Sequence, residues 1–401
     1  MGKLIDVKET IRDRYSLFNI KRFNFGKLFI ERPIRVLDAK NICYEHIVML
    51  FDGYPIVLEK SFFVNSNRFC KIVETDDNRR IRSHFRFPYY AREFPRYISV
   101  TFTFNPFRYF ENRRITEDYL EGYLMYYQSY STSFLLVPNV KIHRIVEETG
   151  GKRKKETIAT IDEFVDIVDI MYGILDYSTN KPIFVPLSLR FSMADIDKLA
   201  EHYMKKEYYN IWIDFEGGAV TEDKIARVRK FLRKFDERGL FDKLVLIATN
   251  IRREIMSNVK KDYTPSSDVL ASLIGANIIG VNREPVRPIE GKVVIEKDKL
   301  LEHKARVFDS NTYYYFKVSM VCWLNQEVKS RILKSKRTNM AINTKLVDEE
   351  FNRQSKALLN NGSVKEYIRN KRMLQEYKQG SLIKALLYSG SYAERKLTDW
   401  F

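Results

Sequence analysis

The feature that most constrains the fold is a series of short apolar runs that recur along the middle of the chain, at a spacing of roughly 30 residues. Each run has the length of a strand and is almost continuously apolar, which is typical of strands buried on both faces of a parallel sheet. The runs are Ile98–Phe102, Phe134–Pro138, Ile183–Leu187, Ile211–Phe215, Leu244–Ala248 and Ile278–Val281.

Helical periodicity fills the intervals between these runs. Ser192 is placed to cap a helix whose apolar face reaches Tyr203, and Thr221 to cap another whose apolar face reaches Phe235. Strands that alternate with helices predict an α/β fold, and we expect a TIM-type (β/α)8-like barrel. We predict an N-terminal β-rich extension over residues 1–95, the barrel over 96–323, and a basic helical C-terminal segment packed on it over 324–401.

The charge balance predicts the class of partner. The 401 residues include 69 Lys and Arg against 52 Asp and Glu, a net charge of +17, and the 45 % of hydrophobic residues exclude a disordered chain. Such an excess attracts polyanions, and nucleic acid, either tRNA or DNA, is the predicted partner. Residues 321–401 alone carry 16 Lys and Arg against 8 Asp and Glu. A charged surface that serves only solubility is the alternative.

Several classes of site have no support in the sequence. The cysteines Cys43, Cys70 and Cys322 lie far apart without a CxxC pair, which favours a reducing compartment and a cytoplasmic location. No apolar stretch approaches the roughly 18 residues of a membrane span. Dinucleotide, P-loop, zincin and hydrolase-elbow motifs are missing, so we predict neither a cofactor nor a metal site.

The densest nucleic-acid-like stretch runs from Arg79 to Arg114, where arginines alternate with aromatic residues. Arginines neutralise phosphates and flat rings stack on unpaired bases, so the mixture favours single strands or loops. The alternative is an aromatic core seam with arginines that extend to solvent. The predicted nucleic-acid contacts are Arg79, Arg80, Arg82, Arg86, Arg92, Arg96, Arg108, Arg113 and Arg114, with Lys334, Lys336 and Arg337 in the basic tail.

Polar residues follow three of the apolar runs, at the strand ends where barrel enzymes place their sites. Asp214 and Glu216 are the candidate catalytic carboxylates, and Gly217 and Gly218 allow a ligand to approach the backbone closely. The candidate base-binding residues are Gly217, Gly218, Asn282 and Arg283, and Asn250, Arg252 and Arg253 follow a third run. The alternative is that Asp214 caps the next helix and that the arginines form surface ion pairs.

Three segments resemble the tRNA-guanine transglycosylase family, whose barrel exchanges guanine for a 7-deazaguanine base in a polynucleotide. Gly275–Val281, followed by Arg287 and the strand Gly291–Ile295, is similar to the family's nucleophile strand and the Arg-containing turn after it. Gly217-Gly218 resembles the family's Gly-Gly substrate loop, and residues 343–368 resemble its C-terminal helix. Together with the early barrel, the resemblance covers roughly residues 97–370 and implies a barrel that dimerises, with itself or with a catalytic relative.

The chain departs from the family at the residues that carry the chemistry. Gly280 stands where the family has its nucleophilic aspartate, and a second aspartate expected near the end of the strand at residues 98–103 is missing. The family's structural zinc needs three cysteines and a histidine, whereas this chain offers Cys322, with Ile342 at the histidine position. Because glycine cannot replace a carboxylate nucleophile, the family's covalent mechanism is not expected at that position.

Three hypotheses about function follow. The first is a transglycosylase-like nucleic-acid-binding protein, degenerate or non-catalytic, that acts in 7-deazaguanine modification of RNA or DNA. The second is an active base-modifying enzyme, a divergent guanine transglycosylase that uses Asp214 or Glu216. The third is a TIM-barrel enzyme for a small phosphorylated metabolite, with Arg252, Arg283 or Arg287 on the phosphate.

Overall fold

In a computed structural model of the protein, the described residues are 4–25, 28–51, 56–65, 71–74, 78–85, 96–103, 117–131, 133–147, 153–157, 159–256, 262–283 and 305–387. The strands are β1 (Val7–Arg12), β2 (Asn19–Phe25), β3 (Leu28–Ile30), β4 (Ile34–Arg35), β5 (Leu37–Asp38), β6 (Leu58–Asn65), β7 (Arg96–Thr103), β8 (Leu135–Leu136), β9 (Asn139–Val140), β10 (His143–Glu147), β11 (Arg153–Thr157), β12 (Ile183–Leu187), β13 (Asn210–Asp214), β14 (Val245–Thr249), β15 (Tyr263–Pro265), β16 (Ile278–Ile279), β17 (Arg306–Asp309) and β18 (Tyr314–Lys317).

The α-helices of the described residues alternate with these strands through the middle of the chain and follow one another near its end. They are α1 (Tyr44–Leu50), α2 (Asn78–Phe85), α3 (Glu117–Tyr130), α4 (Ile161–Ser178), α5 (Met193–Lys205), α6 (Glu222–Glu237), α7 (Leu270–Leu273), α8 (Gln326–Lys334), α9 (Lys336–Asn361), α10 (Lys365–Arg369), α11 (Arg372–Glu376) and α12 (Ser381–Leu386). Short 3₁₀ helices lie at Phe241–Lys243, Val318–Met320 and Tyr377–Gly380.

A curled six-stranded parallel sheet forms the centre of the molecule, in the order β4-β16-β14-β13-β12-β8. A four-stranded sheet has the order β5-β6-β7-β9, and its strands are also parallel. Val36 alone separates β4 from β5, and Val137 and Pro138 alone separate β8 from β9, so each sheet's edge strands continue into the other sheet. The predicted α/β class with a parallel sheet and helices is confirmed.

Alternate residues along the central strands face two different apolar clusters. In β13, Ile211 and Ile213 belong to the larger cluster with the helices, whereas Trp212 belongs to a second cluster. This second cluster lies inside the curl of the sheet with Phe184, Ile247 and other residues of the neighbouring strands. Strands that are apolar on both faces need two such environments, which is why the apolar runs are almost continuous.

The first thirty residues cover one end of the inner cluster. Strands β1, β2 and β3 form a separate antiparallel sheet, and Ile5, Phe23 and Ile30 join the cluster of Trp212. Among the described residues of the predicted β-rich segment 1–95, the last antiparallel pair includes Ile30, and the chain enters the parallel sheets at Ile34. The division of the chain into three segments stays a prediction.

Two of the helices predicted from the sequence begin at the expected N-cap residues. The Ser192 side chain accepts a hydrogen bond from the N–H of Asp195 at the start of α5, and Tyr203 is buried, as predicted. Thr221 occupies the N-cap position of α6 without a side-chain cap hydrogen bond, and Phe235 is buried there. Near the chain end, α9 contacts β4 and β17.

Candidate functional site at the carboxyl edge of the parallel sheet

Asp214 is the centre of a polar cluster at the carboxyl edge, the edge at which the parallel strands end. It is the last residue of β13 and is 4 % exposed. Its Oδ1 accepts hydrogen bonds from Asn250 Nδ2 and from the backbone N–H of Glu216, both at 2.9 Å. Its Oδ2 accepts from Asn139 Nδ2 at 3.4 Å. The carboxylate is therefore held between the amide of Asn250, which follows the adjacent strand β14, and the amide of Asn139 on β9.

The loop after β13 is tied to the loop after β14. Gly217 N–H donates to the Asn250 carbonyl at 2.8 Å, and Arg252 N–H donates to the Gly218 carbonyl at 2.9 Å. Glu216 and Asn250 have φ values of 49° and 56°, a left-handed conformation that is uncommon outside glycine and clusters at functional sites. Gly217, at a φ of 75°, fits this conformation without a steric penalty.

Four basic side chains surround this pair of loops. Arg190 Nη2 lies 3.0 Å from Glu216 Oε2. Arg283 crosses Gly217, where a Cβ would lie 3.6 Å from the arginine Cδ, and burial lowers the pKa of Arg283 while Asp214 and Glu216 oppose that shift. A Cβ on Gly218 would collide with the amine of Lys224, and Arg252 completes the group.

A second carboxylate, that of Glu59 on β6, lies beside Thr249 at the end of β14 and beside Gly280 just after β16. Glu59 is fully buried and accepts hydrogen bonds from Thr249 Oγ1 at 2.7 Å and from Val281 N–H at 2.6 Å. Ser61, on the same strand β6, donates from its Oγ to Asn250 Oδ1 at 2.8 Å. The β6 side chains therefore reach the amide that holds Asp214.

Most of the predicted catalytic and base-binding residues come together here. Asp214, Glu216, Gly217, Gly218 and Arg283 all lie in the cluster. The amide of Asn282 is engaged elsewhere, because its Nδ2 donates to Asp268 Oδ2 at 2.7 Å, although its buried Oδ1 has no hydrogen-bond partner among the described residues.

Sequence reasoning missed three side chains of the site. Asn139 follows the apolar run Phe134–Pro138, and the rule that selected Asp214 would have selected it. Glu59 is the second residue of β6, so a rule about the carboxyl ends of strands does not select it. Lys224 lies in the first turn of α6, and no pattern in the sequence indicates that its amine folds back to Gly218.

The predicted nucleic-acid contacts are only partly within the described residues. Arg79 is exposed on α2, which also carries Arg80 and Arg82, and Arg96 begins β7. Lys334, Lys336 and Arg337 are exposed at the junction of α8 and α9. The remaining arginines of this set, Arg86, Arg92, Arg108, Arg113 and Arg114, lie outside the described residues, as do Arg287 and Gly291–Ile295 of the resembled turn.

The α8–α9 junction lies beside the loop that follows β5. Thr338 Oγ1 is 3.1 Å from Nε2 of His46, in the helix that begins six residues after Asp38. Burial lowers the pKa of His46, Glu45 opposes the shift, and the charge of Arg337 lowers the pKa further. Since β5 is parallel to its neighbours, these basic residues lie towards the carboxyl edge.

Two kinds of feature are absent from the described residues. No three side chains of His, Cys, Asp or Glu lie in a group that could hold a metal ion. None of the helices in these ranges has the length and the apolar composition for crossing a membrane.

Comparison with known proteins supplies no relative. No protein-family model and no curated protein matches the chain. The resemblance to tRNA-guanine transglycosylases therefore stays a prediction from the motifs quoted above.

Proposed function

We propose that the chain is a transglycosylase-like barrel protein that binds RNA or DNA and holds one nucleobase against Asp214. The carrying observation is the fixed carboxylate of Asp214, placed between Asn139 and Asn250 and surrounded by cations. A role in 7-deazaguanine modification comes from the motif resemblance.

The proposed barrel is supported by two connections between the parallel sheets, and it would account for the location of this site. Ile34 pairs with Ile278 and Leu37 pairs with Leu58, so residues 34–38 join the two parallel sheets on one side. Residues 135–140 join them on the other side through β12 and β7. Counting each of these stretches once gives eight parallel strands among the described residues, which supports a closed barrel as part of the proposal. Barrel enzymes bind ligands at the carboxyl ends of such strands, here called the mouth.

The polar groups at the mouth favour a ligand with neighbouring N–H donors. Asp214 supplies two acceptor oxygens, and Asn139 Oδ1 is buried without a hydrogen-bond partner among the described residues. A nucleobase taken out of its stack is recognised by hydrogen bonds to its Watson–Crick edge, and guanine presents adjacent N–H groups there. The base is therefore expected to have a guanine-like edge.

The cations favour a nucleotide in a polymer over a free base. Arg190, Lys224, Arg252 and Arg283 surround the loop at residues 216–218, and the exposed Lys334, Lys336 and Arg337 extend the positive charge beyond the mouth. Each phosphate that such residues neutralise adds a salt-dependent increment to affinity. We therefore expect the polynucleotide backbone to cross the α8–α9 junction.

Binding of tRNA, single-stranded DNA and duplex DNA across a salt series tests this proposal. The variant Lys336→Glu/Arg337→Glu is expected to weaken binding and to reduce the salt slope by about 2, roughly one unit for each phosphate contact. The matched control is Lys205→Glu/Arg238→Glu, which makes the same charge change at the opposite ends of α5 and α6 and is expected to alter the slope less. Equal effects of the two pairs would contradict a docking face at the mouth.

A second candidate function is base exchange with Asp214 as the reacting carboxylate. The rigid position of Asp214 favours it, because a nucleophile or acid–base group must be held in place. Incorporation of labelled guanine into tRNA or DNA by the wild type, and its loss in Asp214→Ala with the fold retained, would support exchange. No incorporation alongside selective binding would leave the non-catalytic function.

A further inference from the structure

We infer that Lys224 is a nucleophilic amine at the mouth that captures the carbonyl carbon of a phosphate-bearing aldehyde as a Schiff base. This activity goes beyond nucleobase binding, and none of its steps needs Asp214 to recognise a base.

The position of the amine is unusual for a lysine on a surface helix. Lys224 lies in the first turn of α6, yet its Nζ turns back to Gly218, where only the missing side chain leaves room for it. The ring centroid of Phe215 lies 4.9 Å from Nζ. Among the described residues Nζ has no hydrogen bond and no ion pair, and the side chain is partly accessible. A ligand can therefore reach an amine that is not already engaged.

The surroundings give Lys224 a larger fraction of neutral amine than an ordinary lysine has. Burial, with the charges of Arg190 and Arg252, lowers the pKa of Lys224 to about 8, against the opposing charges of Glu216 and Asp214. The positive end of the α6 dipole acts in the same direction as the arginines. At pH 7 about a tenth of the side chain is then the nucleophilic free base, against about 0.03 % for an ordinary lysine.

The arginines supply a site for an anion beside the amine. Arg252 joins the Gly218 carbonyl through its backbone N–H, and its buried Nε has no hydrogen-bond partner among the described residues. Arg283 crosses the adjacent Gly217, and Arg190 reaches Glu216. Guanidinium groups bind phosphate with well-defined geometry, so a phosphate here would hold its own carbonyl group near Nζ.

The chemistry balances without a further reactant. The Nζ lone pair attacks the carbonyl carbon, the C=O π electrons move to oxygen, and a proton from the nitrogen converts that oxygen to a hydroxyl. The hydroxyl then leaves as water with a proton from a neighbouring acid, and the nitrogen's second proton returns to that group, so one water is released and a C=N bond remains. Asp214 and Glu216 are the neighbouring carboxylates that can relay these protons.

Two kinds of ligand would present this aldehyde, a small sugar phosphate and the opened abasic sugar of a polynucleotide. Both present an aldehyde within a few bonds of a phosphate. The test therefore has two arms, in which the full chain is mixed with glyceraldehyde 3-phosphate or with an oligonucleotide that carries an abasic site. Sodium borohydride reduces any imine, and peptide mass mapping locates the adduct.

We expect Lys224 to be labelled about tenfold faster than an average surface lysine, after allowance for the lower nucleophilicity of a less basic amine. The rate should rise with pH, reach half of its maximum near pH 8 and level off above about pH 9, and inorganic phosphate should compete. Lys224→Arg keeps the positive charge and should abolish the adduct. Lys230→Arg is the matched control, since Lys230 lies on the same helix and pairs with Asp197 at 2.8 Å. This variant should leave the Lys224 adduct unchanged.

Labelling of Lys224 by only one of the two aldehydes identifies the kind of ligand. Labelling by either aldehyde supports the proposal if Lys224→Arg removes the adduct. Adducts spread over surface lysines, or adducts that persist in Lys224→Arg, would overturn it, and so would no adduct in either arm. Circular dichroism of Lys224→Arg and of a second variant, Lys224→Met, shows that the variants are folded. If Lys224 is not labelled but salt-dependent nucleic-acid binding is intact, the nucleobase proposal is unaffected.

Discussion

The carboxylate of Glu59 lies in the space that a side chain on Gly280 would need. A Cβ built on Gly280 would be 2.5 Å from Glu59 Oε2 and would also collide with Thr249. Glu59 is on β6, and Gly280 directly follows β16, a strand of the other parallel sheet. The space beside Gly280, the residue that the motif resemblance matches to the family's aspartate, is thus filled by a carboxylate from the other sheet.

Gly280→Ala is expected to destabilise the protein by roughly 1–3 kcal/mol, because the added methyl overpacks a site that is already occupied. Urea unfolding monitored by circular dichroism measures the change. Gly173→Ala is the matched control, since nothing lies within 4 Å of a Cβ there and α4 gains helix propensity. Equal stability of Gly280→Ala and the wild type would contradict the packing around Glu59.

Asp214→Asn is expected to weaken binding of a guanine-type nucleoside by about 10- to 100-fold, since a hydrogen bond to a charged group is worth about 1.5–3 kcal/mol. The amide also presents a donor to Asn139 and Asn250, which already donate. Titration calorimetry with guanosine measures the loss. Glu216→Gln is the control and should weaken binding less, because that carboxylate is engaged by Arg190. A larger loss of binding in Glu216→Gln would contradict the central role of Asp214 and would indicate that Glu216 holds the base.

Stability is expected to rise with pH between about 7 and 10 because of Lys21. Its Nζ donates to the carbonyls of Phe241 and Leu244, both at 2.5 Å, and burial lowers its pKa from 10.5 to about 7, with Asp242 opposing the shift. In that window the unfolded chain binds a proton that the folded chain does not, so each pH unit adds up to ~1.4 kcal/mol.

Lys21→Met should lose this part of the pH dependence. Urea unfolding at pH 7, 8 and 9 gives the difference between wild type and variant, which should grow with pH. Lys205→Met removes an exposed lysine and should follow the wild type. Parallel pH profiles for wild type and Lys21→Met would show that Lys21 is charged in the folded protein throughout.

Asp348→Ala is expected to cost about 2–4 kcal/mol, because it detaches α9 from the first parallel strand. Asp348 is 2 % exposed and accepts hydrogen bonds from the Arg35 N–H at 2.9 Å and from Arg32 Nη2 at 2.8 Å. Without it, a buried N–H and a largely buried guanidinium lose their acceptor. Glu349→Ala removes an exposed neighbour with ion pairs at 4.0 Å and should cost under about 1 kcal/mol. Comparable costs for the two variants would contradict this anchoring role.

Local sequence patterns predicted the parts of the fold that depend on neighbouring residues. The α5 helix from Ser192 and the strand that ends at Asp214 follow from capping and from apolar runs of strand length. The contact between Glu59 and Thr249 spans 190 residues and depends on how the sheets curl, which periodicity does not encode. Lys224 was missed for a related reason, because the fold and not the helix pattern directs its amine to Gly218.

The measurement that tests the central claim most directly is the affinity of wild type and Asp214→Asn for tRNA and single-stranded DNA over one salt series. The proposed phosphate contacts would be common to both proteins, so we expect steep, parallel plots of log K against log salt. The Asp214→Asn plot should lie lower by about one logarithmic unit, the contribution of one recognised base. Coincident plots, or a wild-type plot without slope, would contradict the claim that Asp214 holds a nucleobase of a bound polynucleotide.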